Sequence, residues 1–189
     1  MKKTAVLVYD SFCNFEVSTA LEILALAQKE ITVFAATNLP VKSEDGLTIV
    51  PDMVLADLNV DEYDSLLLPG ASDIREAIEN PDIIKFIKKF SGKIIGAISI
   101  GPIMLVKAGL LNGKSFMAGT NKEDIIEEGF SEEELQGMIG WDDNLENPIE
   151  EGYIVTDKII TSISYNFVKW GLAFGKMVGI DVNPKTFGI

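Results

Sequence analysis

The sequence predicts an α/β protein, a three-layer sandwich in which a mostly parallel sheet carries helices on both faces. Three observations predict it. Short β-rich apolar runs alternate along the chain with segments of helical spacing. Those runs are almost continuously apolar, as strands buried on both faces must be. With 189 residues, 47% of them hydrophobic, the chain is long enough to bury a full core, and one domain over residues 1–189 is expected.

TAVLVY, from Thr4 to Tyr9, is a β-rich run closed by Asp10 and Ser11. Phe15 to Lys29 follows with Phe15, Leu21, Leu24 and Leu26 at helical spacing. ITVFAA, from Ile31 to Ala36, is a second strand, and Asp45 to Met53 is a short extended segment that Pro51 confines to an edge. SLLLPG, from Ser65 to Gly70, reads as a buried strand ending in a Pro-Gly turn. A helix is predicted over Asp82 to Phe90, with Pro81 at its start, and a buried strand over Lys93 to Ile98. Pro102 opens a helix ending near Gly109. Ser115 to Gly119 is a short strand, and acidic Lys122 to Gly137 holds one or two short helices. Tyr153 to Ser162 reads as two strands around Asp157-Lys158, and Tyr165 to Val178 as a closing helix. On that helix Tyr165, Phe167, Trp170 and Phe174 recur at near-helical spacing, a pattern for core or dimer contact rather than a ligand cage. Trp141, in the Gly-flanked run with Asp142 and Asp143, is expected to pin its loop.

Composition excludes several function classes. Lys and Arg number 16 against 29 Asp and Glu, a formal charge of −13, so phosphate backbones and anionic lipid surfaces are repelled. No apolar run reaches the ~18 residues of a membrane span. At the N-terminus Asp10 cuts the apolar run too early for a signal peptide, and a cytoplasmic protein is expected. A single cysteine, Cys13, forbids an internal disulfide, and without histidine the chain lacks the ligands of a zinc-type site. Glu132, Glu133, Glu134, Asp142 and Asp143 lack calcium-loop spacing and read as solvated acids. Neither metal nor cofactor is expected.

In a parallel sheet the ligand crevice lies beyond the carboxyl ends of the strands. Three loops leave those ends: Asp10 to Asn14, Pro69 to Asp73 and Ser99 to Pro102. They direct attention to Cys13, Glu16, Gly70, Ala71 and Ser99. AISIG, from Ala97 to Gly101, is one residue away from the G-x-S-x-G elbow that mounts a nucleophile on a strained strand-to-helix turn. Small neighbours let the backbone bend there, and the helix start supplies N–H groups to a developing anion.

The segments VLVYDSFCNFEVSTALEIL, LLLPGA, GAISIGPIMLVKAGLLNGK and IITSISYNFVKWGLAF, in that order from about Val6 to Ala173, resemble the ThiJ/PfpI superfamily, relatives of the class I glutamine amidotransferase domain. The resemblance implies a flavodoxin-like sandwich, usually a homodimer, and activities such as peptidase, deglycase, glyoxalase or isocyanide hydration. The family pattern Ala-Ile-Cys-x-Gly-Pro, followed by a helix and Ala-Gly-Leu-Leu-x-Gly-Lys, is met by Ala97, Ile98, Gly101, Pro102, Ala108, Gly109, Leu110, Leu111, Gly113 and Lys114. The departures lie at the reactive centre. Ser99 stands where the family has its cysteine, and Ile100 where some members place a histidine. Asn121 follows Thr120 where others supply one. Glu16 resembles the glutamate that hydrogen-bonds the family's sulfur, and Ala71 lies where a backbone N–H is donated towards an anion.

A thiol ionises readily at a helix start, but a serine hydroxyl needs a positioned base. Glu16 is the candidate, and an ordinary carboxylate is a weak base towards an alcohol unless burial raises its pKa. Lys107 lies too far along its helix to reach back. Three functions therefore remain open. The crevice binds a small polar metabolite or a partner without covalent chemistry; or Ser99 with Glu16 supports a weak amidase, hydrolase or lyase; or Cys13 serves a stress or redox role. Against the last, a lone cysteine is often a small buried hydrophobe.

Overall fold

The computed structural model describes residues 2–127, 129–139 and 149–189. Its centre is a seven-stranded sheet. The strands are β1 (Lys3–Leu7), β2 (Ile31–Ala35), β5 (Met53–Val54), β6 (Tyr63–Leu68), β7 (Ile94–Ile98), β10 (Ile154–Thr156) and β11 (Ile159–Ser162). Their order is β10-β11-β7-β6-β1-β2-β5, and every neighbouring pair is parallel except the β10–β11 hairpin. A hairpin of β3 (Val41–Lys42) and β4 (Thr48–Ile49) and a parallel pair of β8 (Phe116–Met117) and β9 (Met138–Ile139) lie outside this sheet. The α/β sandwich expected from the alternation is therefore present.

Strand alternation divides the core. Ala5, Leu7, Leu66 and Leu68 face one layer, where Phe34, Phe86 and Phe90 pack together. That layer holds α2 (Arg75–Glu79), α3 (Pro81–Lys88) and α4 (Pro102–Lys107). Val6, Val8 and Leu67 face the other, with Trp170 and Phe174. That layer is built from α1 (Asn14–Leu26) and α6 (Phe167–Met177), which pack side by side. A Cβ on Gly171 of α6 would sit 2.9 Å from the Thr19 side chain, so the two helix axes approach more closely than a larger residue permits. A further helix, α5 (Lys122–Glu127), follows β8.

Several boundaries differ from the sequence reading for local reasons. The first helix stops at Leu26 because Gln28 takes a left-handed φ of 54°, which turns Lys29 inward. The Asp45 to Met53 segment splits at Pro51: Thr48–Ile49 pairs with β3, and Met53–Val54 forms the sheet edge beside β2. Helix α2 was not foreseen; at five residues it is too short to show a helical period. Between 122 and 137 one helix is described, followed by turns, and there Glu134 accepts hydrogen bonds from Ser131. Of the closing aromatics, Trp170 and Phe174 are core. Phe167 is packed edge-on against Phe15, and Tyr165 is 72% exposed in the turn before α6. Trp141, Asp142 and Asp143 lie outside the described residues. Among the described residues no helix is long and apolar enough to cross a membrane.

Candidate functional site

Ser99 sits between the end of β7 and the start of α4 with φ +60°, a left-handed conformation that costs an L-residue roughly 1–2 kcal/mol. The turn is held on several sides. The Ser99 N–H donates to the Ser162 carbonyl at 2.9 Å, and its own carbonyl accepts from the Gly119 N–H. A Cβ on Gly119 would lie 2.8 Å from Ser99 Cα, so only glycine lets that segment pass. The side chain of Ser99 is half-buried.

Below it lies Glu16, in the first turn of α1 and 2% exposed. Its Oε2 accepts from the Gly70 N–H at 2.8 Å, and its Oε1 accepts from the Ser164 hydroxyl at 2.7 Å. Burial pushes the Glu16 carboxyl above the ordinary carboxylate range, and hydrogen bonding by Ser164, Gly70 and Ser99 pulls it back in part. Gly70 has no room for a side chain: a Cβ there would meet Ser99 Cβ at 2.6 Å, and Glu16 Oε2 and Ser99 Oγ at 2.8 Å.

The loops after β1 and β6 pair with each other. Phe12 and Ala71 form an isolated antiparallel bridge, with Cys13 N–H donating to the Gly70 carbonyl at 2.8 Å and Ser72 N–H to the Ser11 carbonyl at 3.1 Å. The Tyr9 hydroxyl adds a bond to the Pro69 carbonyl at 2.7 Å, and burial raises its pKa well above the usual value. Cys13 is buried, and its thiol donates to Glu44 Oε1 at 2.9 Å. Burial pushes this thiol far up, and the Glu44 bond and the Glu16 charge push it further.

Cys13, Glu16, Gly70, Ala71 and Ser99 thus converge. Ile100 faces a different space, a small apolar cleft of about 60 Å³ that it shares with Ile74, Ile103, Thr120 and Phe130. Asn121 is occupied locally as the cap of α5: its Oδ1 accepts from the Asp124 N–H at 2.8 Å and its Nδ2 donates to Asp124 Oδ2 at 2.7 Å. Three contributors were missed in the sequence: Ser164, Gly119 and Glu44. Ser164 had a usable signal. It follows the carboxyl end of β11, a fourth parallel strand whose exit loop opens onto the same crevice.

The arrangement can hold one buried carboxyl in a shell of donors and present a strained hydroxyl above it. Among the described residues no amine hydrogen-bonds to Ser99 or Glu16, and the chain has no imidazole.

The chain is 28% identical over 151 residues to a glutathione-independent glyoxalase of Caenorhabditis elegans, covering 79% of this chain and 73% of that protein. It is 28% identical over 133 residues to a deglycase of Pyrococcus abyssi, covering 67% and 78%. The crystal structure of a DJ-1 superfamily protein from Agrobacterium tumefaciens superposes with a TM-score of 0.79 at 17% identity, covering 99% of this chain and 94% of that one, a likeness of fold. The profile of the DJ-1/PfpI family matches residues 2–174, and the chain belongs to that family.

Proposed function

We propose that this protein is a DJ-1/PfpI domain, one unit over residues 1–189, whose crevice binds a small polar metabolite without the family's Cys–His chemistry. The observation that carries the reading is the shell around Glu16: the Ser164 hydroxyl and the Gly70 N–H donate to one buried carboxyl, the Ser99 hydroxyl lies against it, and none of these groups is a base. A hydroxyl whose partner is already this well satisfied has little drive to lose its proton. The Ala71 N–H, between the two bridge bonds, makes no hydrogen bond among the described residues and is available to a ligand oxygen. The homodimer implied by the resemblance, and the cytoplasmic location expected from the N-terminal segment, belong to the same reading.

A second reading has one observation in its favour. The left-handed φ of Ser99 is retained although a glycine would relieve it, and strain of this kind gathers at reactive positions. Together with the raised pKa of Glu16, which makes a better base of the ionised carboxylate, it supports a weak Ser99/Glu16 amidase, hydrolase or lyase. A Cys13 redox role stands third, because its environment disfavours the thiolate.

Treatment with a fluorophosphonate and, separately, with iodoacetamide, followed by peptide mass spectrometry, separates the three. The binding reading expects neither Ser99 nor Cys13 to be labelled preferentially. A Ser99 adduct abolished by Ser99→Ala, together with turnover lost in the same variant, would establish the second reading. Rapid Cys13 alkylation at neutral pH would establish the third.

A further inference from the structure

At the amino end of the parallel sheet, the opposite end from Ser99, two adjoining hollows of about 460 and 280 Å³ share Lys93 and Lys158. Five-residue β7 separates the two ends by about 15 Å. Their lining reverses the charge of the whole molecule. The chain carries 29 acids against 16 basic residues, yet this groove presents Lys2, Lys93, Lys114 and Lys158 against only Asp64 and Asp157.

Both acids are already neutralised. Asp64 is held through both oxygens, at 2.7 and 2.8 Å, by Lys29, whose side chain is 0% exposed. Asp157 pairs with Lys114 at 3.1 Å. Three lysines are left without an acidic partner among the described residues. Lys93 spends one N–H on the Tyr63 carbonyl at 2.6 Å, a neutral partner, and Lys2 and Lys158 are exposed at the rim. Three ammonium groups around one hollow repel each other and gain energy from any shared anion. Neutralising the two acids from within, one of them by a buried lysine, leaves that gain to a ligand.

We propose that this groove is an anion site for a small molecule with several clustered anionic oxygens, a phosphate ester, a diphosphate or a polycarboxylate. Lysine heads are mobile point charges, suited to oxygens on different sides of a compact polyanion, whereas a planar carboxylate alone is better met by arginine. The hollow has the size of a metabolite site. The acidic surface elsewhere keeps long polyanions such as nucleic acid away, so the site selects for small ones.

The test is a calorimetric titration of the whole protein with pyrophosphate and with citrate, each against sodium chloride of matched ionic strength. Amide shifts of the isotope-labelled protein are followed in parallel. Saturable binding of at least one of the two is expected, with shifts concentrated at Lys2, Lys93 and Lys158, and affinity falling as salt rises. Which probe binds tells phosphate from carboxylate chemistry. The double variant Lys2→Ser/Lys158→Ser, at exposed positions and with an unchanged unfolding midpoint, should weaken binding by about tenfold or more. The control Lys85→Ser/Lys185→Ser, away from the groove, should leave it unchanged. No saturable binding of either probe at millimolar concentration, equal losses in both double variants, or undiminished binding in the first would overturn the assignment.

Discussion

The Gly70 N–H and the Glu16 carboxylate meet at 2.8 Å, and a methyl group on Gly70 would overlap both Glu16 and Ser99. A single backbone position therefore sets the spacing between the buried acid and the strained hydroxyl. Gly70→Ala should cost about 1–3 kcal/mol, the usual range for overpacking, in a urea unfolding experiment. It should also displace Ser99, read as a loss of ligand protection against unfolding. An unchanged midpoint would mean that the loop after β6 yields freely.

Glu16 gives the fold a pH dependence of defined sign. Its carboxyl is raised in the folded protein relative to its usual 4.5, so the folded state binds the proton more tightly than the unfolded one. The stability this confers is complete below about pH 4.5 and is lost as pH rises through the higher, folded value. Glu16→Gln keeps the shape and removes the titration. The difference in unfolding free energy between the parent and this variant should therefore shift against the parent as pH rises from 4 towards 8. A difference that is flat over that range would contradict the raised carboxyl.

Compared with Ser99→Ala, which equally loses the hydroxyl beside Glu16, Ser99→Gly isolates the strain in the turn. Glycine takes φ +60° without penalty, and its gain is partly offset by the greater freedom of the unfolded chain. The net expectation is a stabilisation over Ser99→Ala of up to about 1 kcal/mol, measured by thermal or urea unfolding. Ser99→Cys complements it: a thiol at this position, beside Glu16, should be readily oxidised if the pocket retains the reactive form implied by its family.

Cys13 is expected to react with disulfide reagents at pH 8 at least about tenfold more slowly than free cysteine, because burial and the Glu44 bond disfavour its thiolate. Glu44→Gln should speed the reaction by removing a negative charge from beside the sulfur. Equal rates in the two proteins would show that burial alone controls the thiol.

The central sheet was legible because its strands are buried on both faces and are written as unbroken apolar runs, as in SLLLPG and KIIGAI. The pairing of Glu16 with Ser99 was legible through chain order and family resemblance. Ser164 was not, because a serine that completes the shell of an acid 148 positions away looks in the sequence like any loop hydroxyl. The lysine groove was hidden for a related reason. Lys2, Lys93 and Lys158 each immediately precede a different strand, and only the lateral order β11-β7-β6-β1 brings them to one place. Short elements such as α2 and the two-residue strands carry too few residues to show a period.

The dependence of the elbow on Ser162 and Ser164 has a consequence for biosynthesis. On a translating ribosome, Ser99 and Glu16 emerge long before the segment that supplies the carbonyl for one and the hydroxyl for the other. Until α6 docks against α1, a nascent chain holds a carboxylate facing water where the finished protein holds a sealed one. The crevice is thus among the last parts of the molecule to mature, and polypeptides cut short before residue 162 should emerge without it.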